Sequence, residues 1–152
     1  MSKHPVRAVT VSERIPAPPS EVLAFISDTR NDPQWCPNVE VAELTSGGSI
    51  GVGSTFRYPQ HLDQPGRGRV TFDGHIEVVG LDDRTITWHV TDKFQERTIT
   101  CVVEPAGTGS TVTQTTEASF HRSPGVARYL YPLLARRTLK DQLVRLRTHF
   151  ED

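Results

Sequence analysis

RVTFDGHIEVVGLDDRTITWHVTDKFQERTITCVVEPAGTGSTVTQTTEASF, residues 69–120, decides the fold. Four runs rich in β-branched and aromatic residues, at 69–81, 85–91, 96–105 and 111–120, are separated by Asp82-Asp83, Asp92-Lys93 and Ala106-Gly107-Thr108-Gly109. Apolar and polar residues alternate within each run, which is the period of a strand with one face buried. Separators this short join antiparallel neighbours, because a parallel pair needs a crossover of roughly a dozen residues or more. The stretch therefore predicts a meander.

Upstream, residues 54–61 form another strand, joined to the meander through Gln64-Pro65-Gly66-Arg67-Gly68. Residues 39–44 form a short strand, and the glycine-rich segment SGGSIGVGS follows it as a loop. That loop lacks the spacing of a phosphate cradle. Residues 6–15 alternate at Val9, Val11, Glu13 and Ile15 and begin the chain as a strand. Pro16, Pro18 and Pro19 end it, since proline has no N–H for the ladder. Ser20 is the expected N-cap of a helix with Val22, Phe25 and Ile26 on one face. The breaker-rich segment DTRNDPQWCP, 28–37, supports a single helical turn carrying Trp35.

Downstream, the period changes to that of a helix over 124–150. Leu139, Leu143, Leu146 and Phe150 form an inner stripe that extends back through Leu130, Leu133 and Leu134. Arg136, Arg137, Lys140, Arg145 and Arg147 fall mostly on the other faces. Pro132 is expected to kink the helix or mark its restart.

The 152 residues carry a net charge of −1, which argues against nucleic acid as partner. One domain over residues 1–152 is expected. No run approaches the roughly 18 apolar residues of a membrane span, and MSKHPVRAVTVSERI lacks the apolar stretch of a signal peptide. These features predict a cytoplasmic protein with no integral membrane contact. Cys36 and Cys101 fit no metal-ligand spacing and read as free thiols.

Several motifs, taken in order, resemble the SRPBCC superfamily, which groups START domains, the birch-pollen-allergen family and polyketide cyclases/dehydrases. They are Ile15-Pro16-Ala17-Pro18-Pro19-Ser20-Glu21-Val22, Asp28 through Trp35-Cys36-Pro37, Val52-Gly53-Ser54-Thr55-Phe56, Glu104-Pro105 with Gly109-Ser110-Thr111-Val112-Thr113, and Leu130-Tyr131-Pro132-Leu133-Leu134-Ala135-Arg136-Arg137. The resemblance implies an α+β helix-grip fold. A curved seven-stranded antiparallel sheet would wrap around the long C-terminal helix, with two short helices after the first strand. It also implies a hydrophobic cavity between sheet and helix, used in that superfamily for lipids, polyketides, sterols, quinones or hormones.

Strand parity supplies candidates for the cavity face without the family. Phe56 is the best candidate in the third strand. Val70, Phe72, Ile76 and Val78 share a parity in the fourth, as do Ile86, Trp88 and Val90 in the fifth. Ile99, Cys101 and Val103 do so in the sixth, and Val112, Ala118 and Phe120 in the seventh. Two polar residues, Gln114 and Thr116, break the seventh strand's pattern, and the sixth strand's parity extends to Arg97 and Gln95. Inward polar groups need partners, and they read either as a patch orienting the head of an apolar ligand or as groups satisfying one another. With Leu130 and Leu134 from the helix, the predicted ligand-binding set is Phe56, Phe72, Ile76, Trp88, Val90, Arg97, Ile99, Cys101, Gln114, Thr116, Ala118, Leu130 and Leu134. The same residues would otherwise fill a core.

His75 and His89 have outward parity, with Asp73 and Glu77 beside them, and match no metal site. A bulge at Gly74 would reverse that facing. His61, Asp63, Arg97, His121 and Glu117 are the acid–base candidates, with Glu117 outward. No Ser-His-Asp or Cys-His arrangement is legible, and Cys101 reads as a packing residue. The expected function is binding of a small hydrophobic molecule, such as a lipid, polyketide, sterol or quinone, with no cofactor and no metal. A cyclase/dehydrase-type enzyme using the same cavity is the alternative, and a protein-interaction module without ligand is a third. Oligomeric state is not legible.

Overall fold

Asp82 and Asp92 each fold a hairpin onto itself. The Oδ1 of Asp82 accepts from the N–H groups of Arg84 and Thr85 at 2.9 and 2.8 Å. The Oδ1 of Asp92 accepts from Phe94 and Gln95 at 2.7 and 3.0 Å. Aspartate favours such turns because its short side chain reaches its own backbone two and three residues on. These turns link β6 (Thr85–Thr91) to its neighbours β5 (Gly68–Leu81) and β7 (Gln95–Ala106). The next hairpin, into β8 (Gly109–Phe120), turns at Gly107 with φ of 60°. Gly109 lies so close to the chain ahead of it that a Cβ would stand 2.5 Å from the Ile15 carbonyl oxygen.

The remaining elements are β1 (His4–Pro5), β2 (Val9–Ile15), α1 (Pro19–Ser27), a 3-10 helix (Thr29–Gln34), β3 (Glu43–Leu44), β4 (Thr55–Gln64) and α2 (Ala127–Phe150). This architecture comes from a computed structural model that describes residues 3–37, 39–64, 66 and 68–151, without the side chains of 60–64, 70 and 127. The side chains of His61, Asp63 and Val70, and Pro65 and Arg67 of the expected turn, therefore lie outside the described residues.

The antiparallel sheet runs β1-β8-β7-β6-β5-β4-β3, and β2 also pairs with β8. β1 meets Ser119 and Phe120, while β2 pairs with the stretch from Ser110 to Thr116. Two strands thus share one edge position, and the expected seven-stranded width is filled by eight strands. The bulge lies between Val78 and Gly80 rather than at Gly74. Ahead of it the expected facing is kept, with Ile76 and Val78 buried and His75 and Glu77 exposed.

One face of the sheet is packed. Val9, Val11, Phe56, Val78, Ile86, Val103 and Val112 are buried there with Val22, Leu23 and Ile26 of α1 and Leu139, Leu143 and Leu146 of α2. Each such side chain contributes about 1.5–3 kcal/mol on full burial. The outer face carries cross-strand hydroxyl pairs, Thr10–Thr115 at 3.1 Å and Ser12–Thr113 at 3.0 Å. Ser110 donates to the Ala17 carbonyl at 2.6 Å and fixes the proline-rich entry into α1.

Three expectations are corrected. Helix α1 begins at Pro19, without a side-chain cap, and Ser20 lies inside the first turn. Proline at the first helical position has no N–H to satisfy, so the cap is dispensable. Strand pairing in 39–44 is confined to Glu43 and Leu44, because Val39 instead donates to the Cys36 carbonyl in a turn. Leu130 and Leu134 do not reach the sheet and are 53% and 63% exposed. Contacts of α2 run along β2 and the 3-10 helix. Lys140 and Arg147 pair with Glu13, Arg136 donates to the Thr10 carbonyl, and Tyr131 meets Phe120 edge-on at 5.3 Å, so α2 touches the sheet along much of its length while Leu130 and Leu134 stay on its exposed side. Helix α2 continues through Pro132.

Candidate functional site

Three elements line a partly open cavity of about 90 Å³. The concave sheet face contributes Ile76, Trp88, Val90, Ile99, Tyr58, Arg97 and Gln114. The 3-10 helix and the turn after it contribute Thr29, Asp32, Trp35, Cys36 and Val39, and α2 closes the space with Leu139 and Gln142.

Strand register explains the arrangement. Phe56 faces Ile76, Ile76 faces Val90, Val78 faces Trp88, Trp88 faces Ile99, and Val90 faces Arg97. Residues of one parity thereby form a continuous inner surface across four strands. Arg97 Nη2 donates to the Tyr58 hydroxyl at 3.0 Å. Two strands separate β4 from β7, roughly 14 Å at ordinary strand spacing, so these long side chains close the distance across the concavity.

Several buried polar atoms on or beside this wall have no protein partner: Trp35 Nε1, Trp88 Nε1, Arg97 Nε, Gln114 Oε1, Thr116 Oγ1 and Gln95 Oε1. Each unpaired buried group costs about 1–3 kcal/mol, so their concentration beside one cavity marks it as a place where something else completes the bonds. Donors dominate on the wall: two indole N–H groups, a guanidinium N–H, and the Tyr58 proton left over after its oxygen accepts from Arg97.

Asp32 adds a further donor. The residue keeps partial exposure, but desolvation of its carboxyl pushes the pKa well above the usual carboxylate range, against an opposing pull from the Trp35 indole. The Trp35 indole N–H lies near that carboxyl without completing a hydrogen bond to it. Burial likewise raises the Tyr58 hydroxyl, with the Arg97 charge working against it, and raises the Cys36 and Cys101 thiols. Both cysteines are unpaired and buried, which suits packing better than nucleophilic chemistry.

Of the predicted set, Ile76, Trp88, Val90, Arg97, Ile99 and Gln114 lie on the wall. Phe56, Cys101 and Ala118 are buried in the core outside it, and Phe72 is half-buried edge-on to Phe94. Thr116 is buried opposite Ile99, also outside the wall. Leu130 and Leu134 are exposed. Sequence reasoning missed Asp32, Trp35 and Tyr58 as wall residues. Tyr58 carried a usable signal, since it shares parity with Phe56. Asp32 and Trp35 carried none, because an irregular segment has no period to read.

His75, Asp73 and Glu77 are exposed and His89 is half-buried. Among the described residues no three His, Cys, Asp or Glu side chains converge as metal ligands. His121 is exposed, with Nε2 3.2 Å from the Asp92 carbonyl oxygen, and Glu117 is exposed as its parity predicts. No helix of the described residues is long and apolar enough to cross a membrane.

An antiparallel sheet gripping a long C-terminal helix over such a cavity defines the helix-grip, START-like class of proteins. The chain belongs to the polyketide cyclase/dehydrase and lipid transport family, whose model matches residues 7–151. Solved structures agree in fold. An aromatase/cyclase from Streptomyces sp. R1128 has a TM-score of 0.73 at 16% identity, covering 95% of this chain and 93% of that one. A START superfamily protein from Mycobacterium smegmatis has a TM-score of 0.72 at 16% identity, covering 95% and 97%. The major latex-like protein 151 of Panax ginseng has a TM-score of 0.67 at 17% identity, covering 96% and 98%. No curated protein sequence matches the chain significantly.

Proposed function

We propose that this protein binds a small, largely apolar molecule in the cavity between the sheet and α2, holding its polar end against Arg97, Tyr58 and Gln114. The supporting observation is the set of buried, unpartnered polar atoms on an otherwise apolar wall. A side-chain-filled core has no reason to keep them, since apolar replacements would avoid their desolvation cost. Two buried, unpaired thiols suit a reducing, cytoplasmic setting. Native mass spectrometry of freshly purified protein is the test. A co-purifying apolar molecule, lost in Gln114→Leu or exchanged there for another, supports the reading. A bare wild-type mass, together with no response to fatty acids, sterols or aromatic polyketide-like compounds, sinks it.

One observation favours an enzymatic reading of the same cavity. Asp32, whose burial holds the carboxyl protonated well above its usual range, shares the wall with the Arg97–Tyr58 pair. A carbonyl held by Arg97 would be positioned for proton transfer, as in cyclase or dehydrase chemistry. Under this reading Asp32→Asn keeps ligand binding and loses turnover. Equal turnover in both proteins removes Asp32 from that role.

A further inference from the structure

We propose that the bound molecule is an organic acid whose carboxylate pairs with Arg97, an inference that rests on the ligand-binding reading above. Arg97 is the cation that the fold leaves uncompensated at the cavity. Several surface cations meet carboxylates, as Lys3 does Glu96, Arg30 does Asp28, Arg57 does Glu43, and Lys140 and Arg147 do Glu13, whereas Arg97 has a buried nitrogen on the cavity side of the sheet. Among the described residues no carboxylate comes within ion-pair distance of Arg97, whose one side-chain hydrogen bond goes to the neutral Tyr58 hydroxyl at 3.0 Å. Its Nε is buried with no acceptor.

The carboxyl that shares the cavity does not fill this vacancy. Asp32 lines the same wall, yet desolvation governs its protonation, with Trp35 and Asp28 as the other influences, and Arg97 is not among them. Asp32 makes no ion pair with Arg97, whose side-chain bond goes to Tyr58 instead, so the guanidinium charge is left standing. A half-buried guanidinium with free N–H groups is built for a carboxylate, because its planar fork matches two carboxylate oxygens and the charge strengthens both bonds.

The surroundings fit the same head group. The indole N–H groups of Trp35 and Trp88 are buried donors without acceptors, and both residues are on the wall with Arg97. A carboxylate offers about four lone-pair sites and can take donors beyond the guanidinium. An ester or primary amide carries no charge for Arg97 and fewer acceptor sites. Beyond the head group the wall is Ile76, Val90, Ile99 and Leu139, which suits an aryl or alkyl body. The volume of about 90 Å³ favours a body about the size of one ring or a short chain.

Matched probes test this. 3-Phenylpropionic acid and decanoic acid, each with its methyl ester and primary amide, would be titrated into the full-length protein at pH 7. The readouts are calorimetry and the two indole N–H resonances, since the chain has only 2 tryptophans. The expected result is that at least one acid binds roughly tenfold or more tightly than its ester and amide, which corresponds to about 1.4 kcal/mol. Both indole resonances should shift. Arg97→Gln should abolish that preference, lowering acid affinity more than ester affinity, and Arg97→Lys should restore part of it. The wild-type ratio decides the matter even where a variant folds poorly. Equal binding of acid, ester and amide overturns the carboxylate and leaves the ligand-binding reading intact. Retention of the acid preference in folded Arg97→Gln assigns the charge elsewhere and also overturns it. No binding of any probe, with a bare mass from the purified protein, removes both.

Discussion

Arg97 on β7 donates to the Tyr58 hydroxyl on β4 at 3.0 Å, tying together two strands that are not neighbours in the sheet. Tyr58 is 4% exposed, so the bond is made inside the fold. Tyr58→Phe should cost about 1–3 kcal/mol in chemical denaturation, the value of a bond to a charged group with its partner left unpaired. A Tyr58→Phe protein as stable as wild type would mean that Arg97 is solvated by water from the open end. The bond would then contribute little to the fold.

Trp88 is 6% exposed, lines the cavity, and lies in register between Val78 and Ile99. Its packed neighbours place Trp88→Ala toward the upper end of core truncations, about 3–5 kcal/mol by urea unfolding. A loss near 1 kcal/mol would show that the indole borders a void more than it fills a core.

Asp32 imposes a pH dependence of definite sign. In the unfolded chain its carboxyl ionises near pH 4, about its ordinary value. In the folded protein desolvation moves that ionisation well upward. Between the two values the native state keeps a proton that the unfolded state has lost, so stability falls as pH rises through this window. Asp32→Asn removes the dependence. Its unfolding free energy relative to wild type should therefore improve as pH rises from about 4 through that window. A constant difference across that range would show that the native carboxyl ionises normally.

Helix α2 should have two faces of opposite tolerance. Leu143 is fully buried against the sheet, whereas Leu134 is 63% exposed. Leu143→Asp buries a charge and should unfold the domain. Leu134→Asp should stay within about 0.5 kcal/mol of wild type in thermal and chemical melts. A Leu134→Asp protein that unfolds would mean that the first turns of α2 are covered in solution.

What the sequence by itself determined is the inner surface of the meander. Side-chain direction in a strand has a fixed period of two, so one buried residue orients the rest of its run. Ile76, Trp88, Val90 and Ile99, and the polar intrusions Gln114 and Arg97, could be placed on the inner face from parity alone. The helical stripe at Leu139, Leu143 and Leu146 was legible for the same kind of reason, with period 3.6. Periodicity gives direction and no distance. It could not show which side of α2 lies on β2, and so it carried Leu130 and Leu134 inward where the structure leaves them exposed. Nor could it place Asp32 and Trp35, which lie in and just after a 3-10 segment with no repeating face. Their position over the cavity, and the meeting of Arg97 with Tyr58 across two intervening strands, arise from curvature and docking. Both depend on contacts between residues far apart in the chain, and only the tertiary structure decided them.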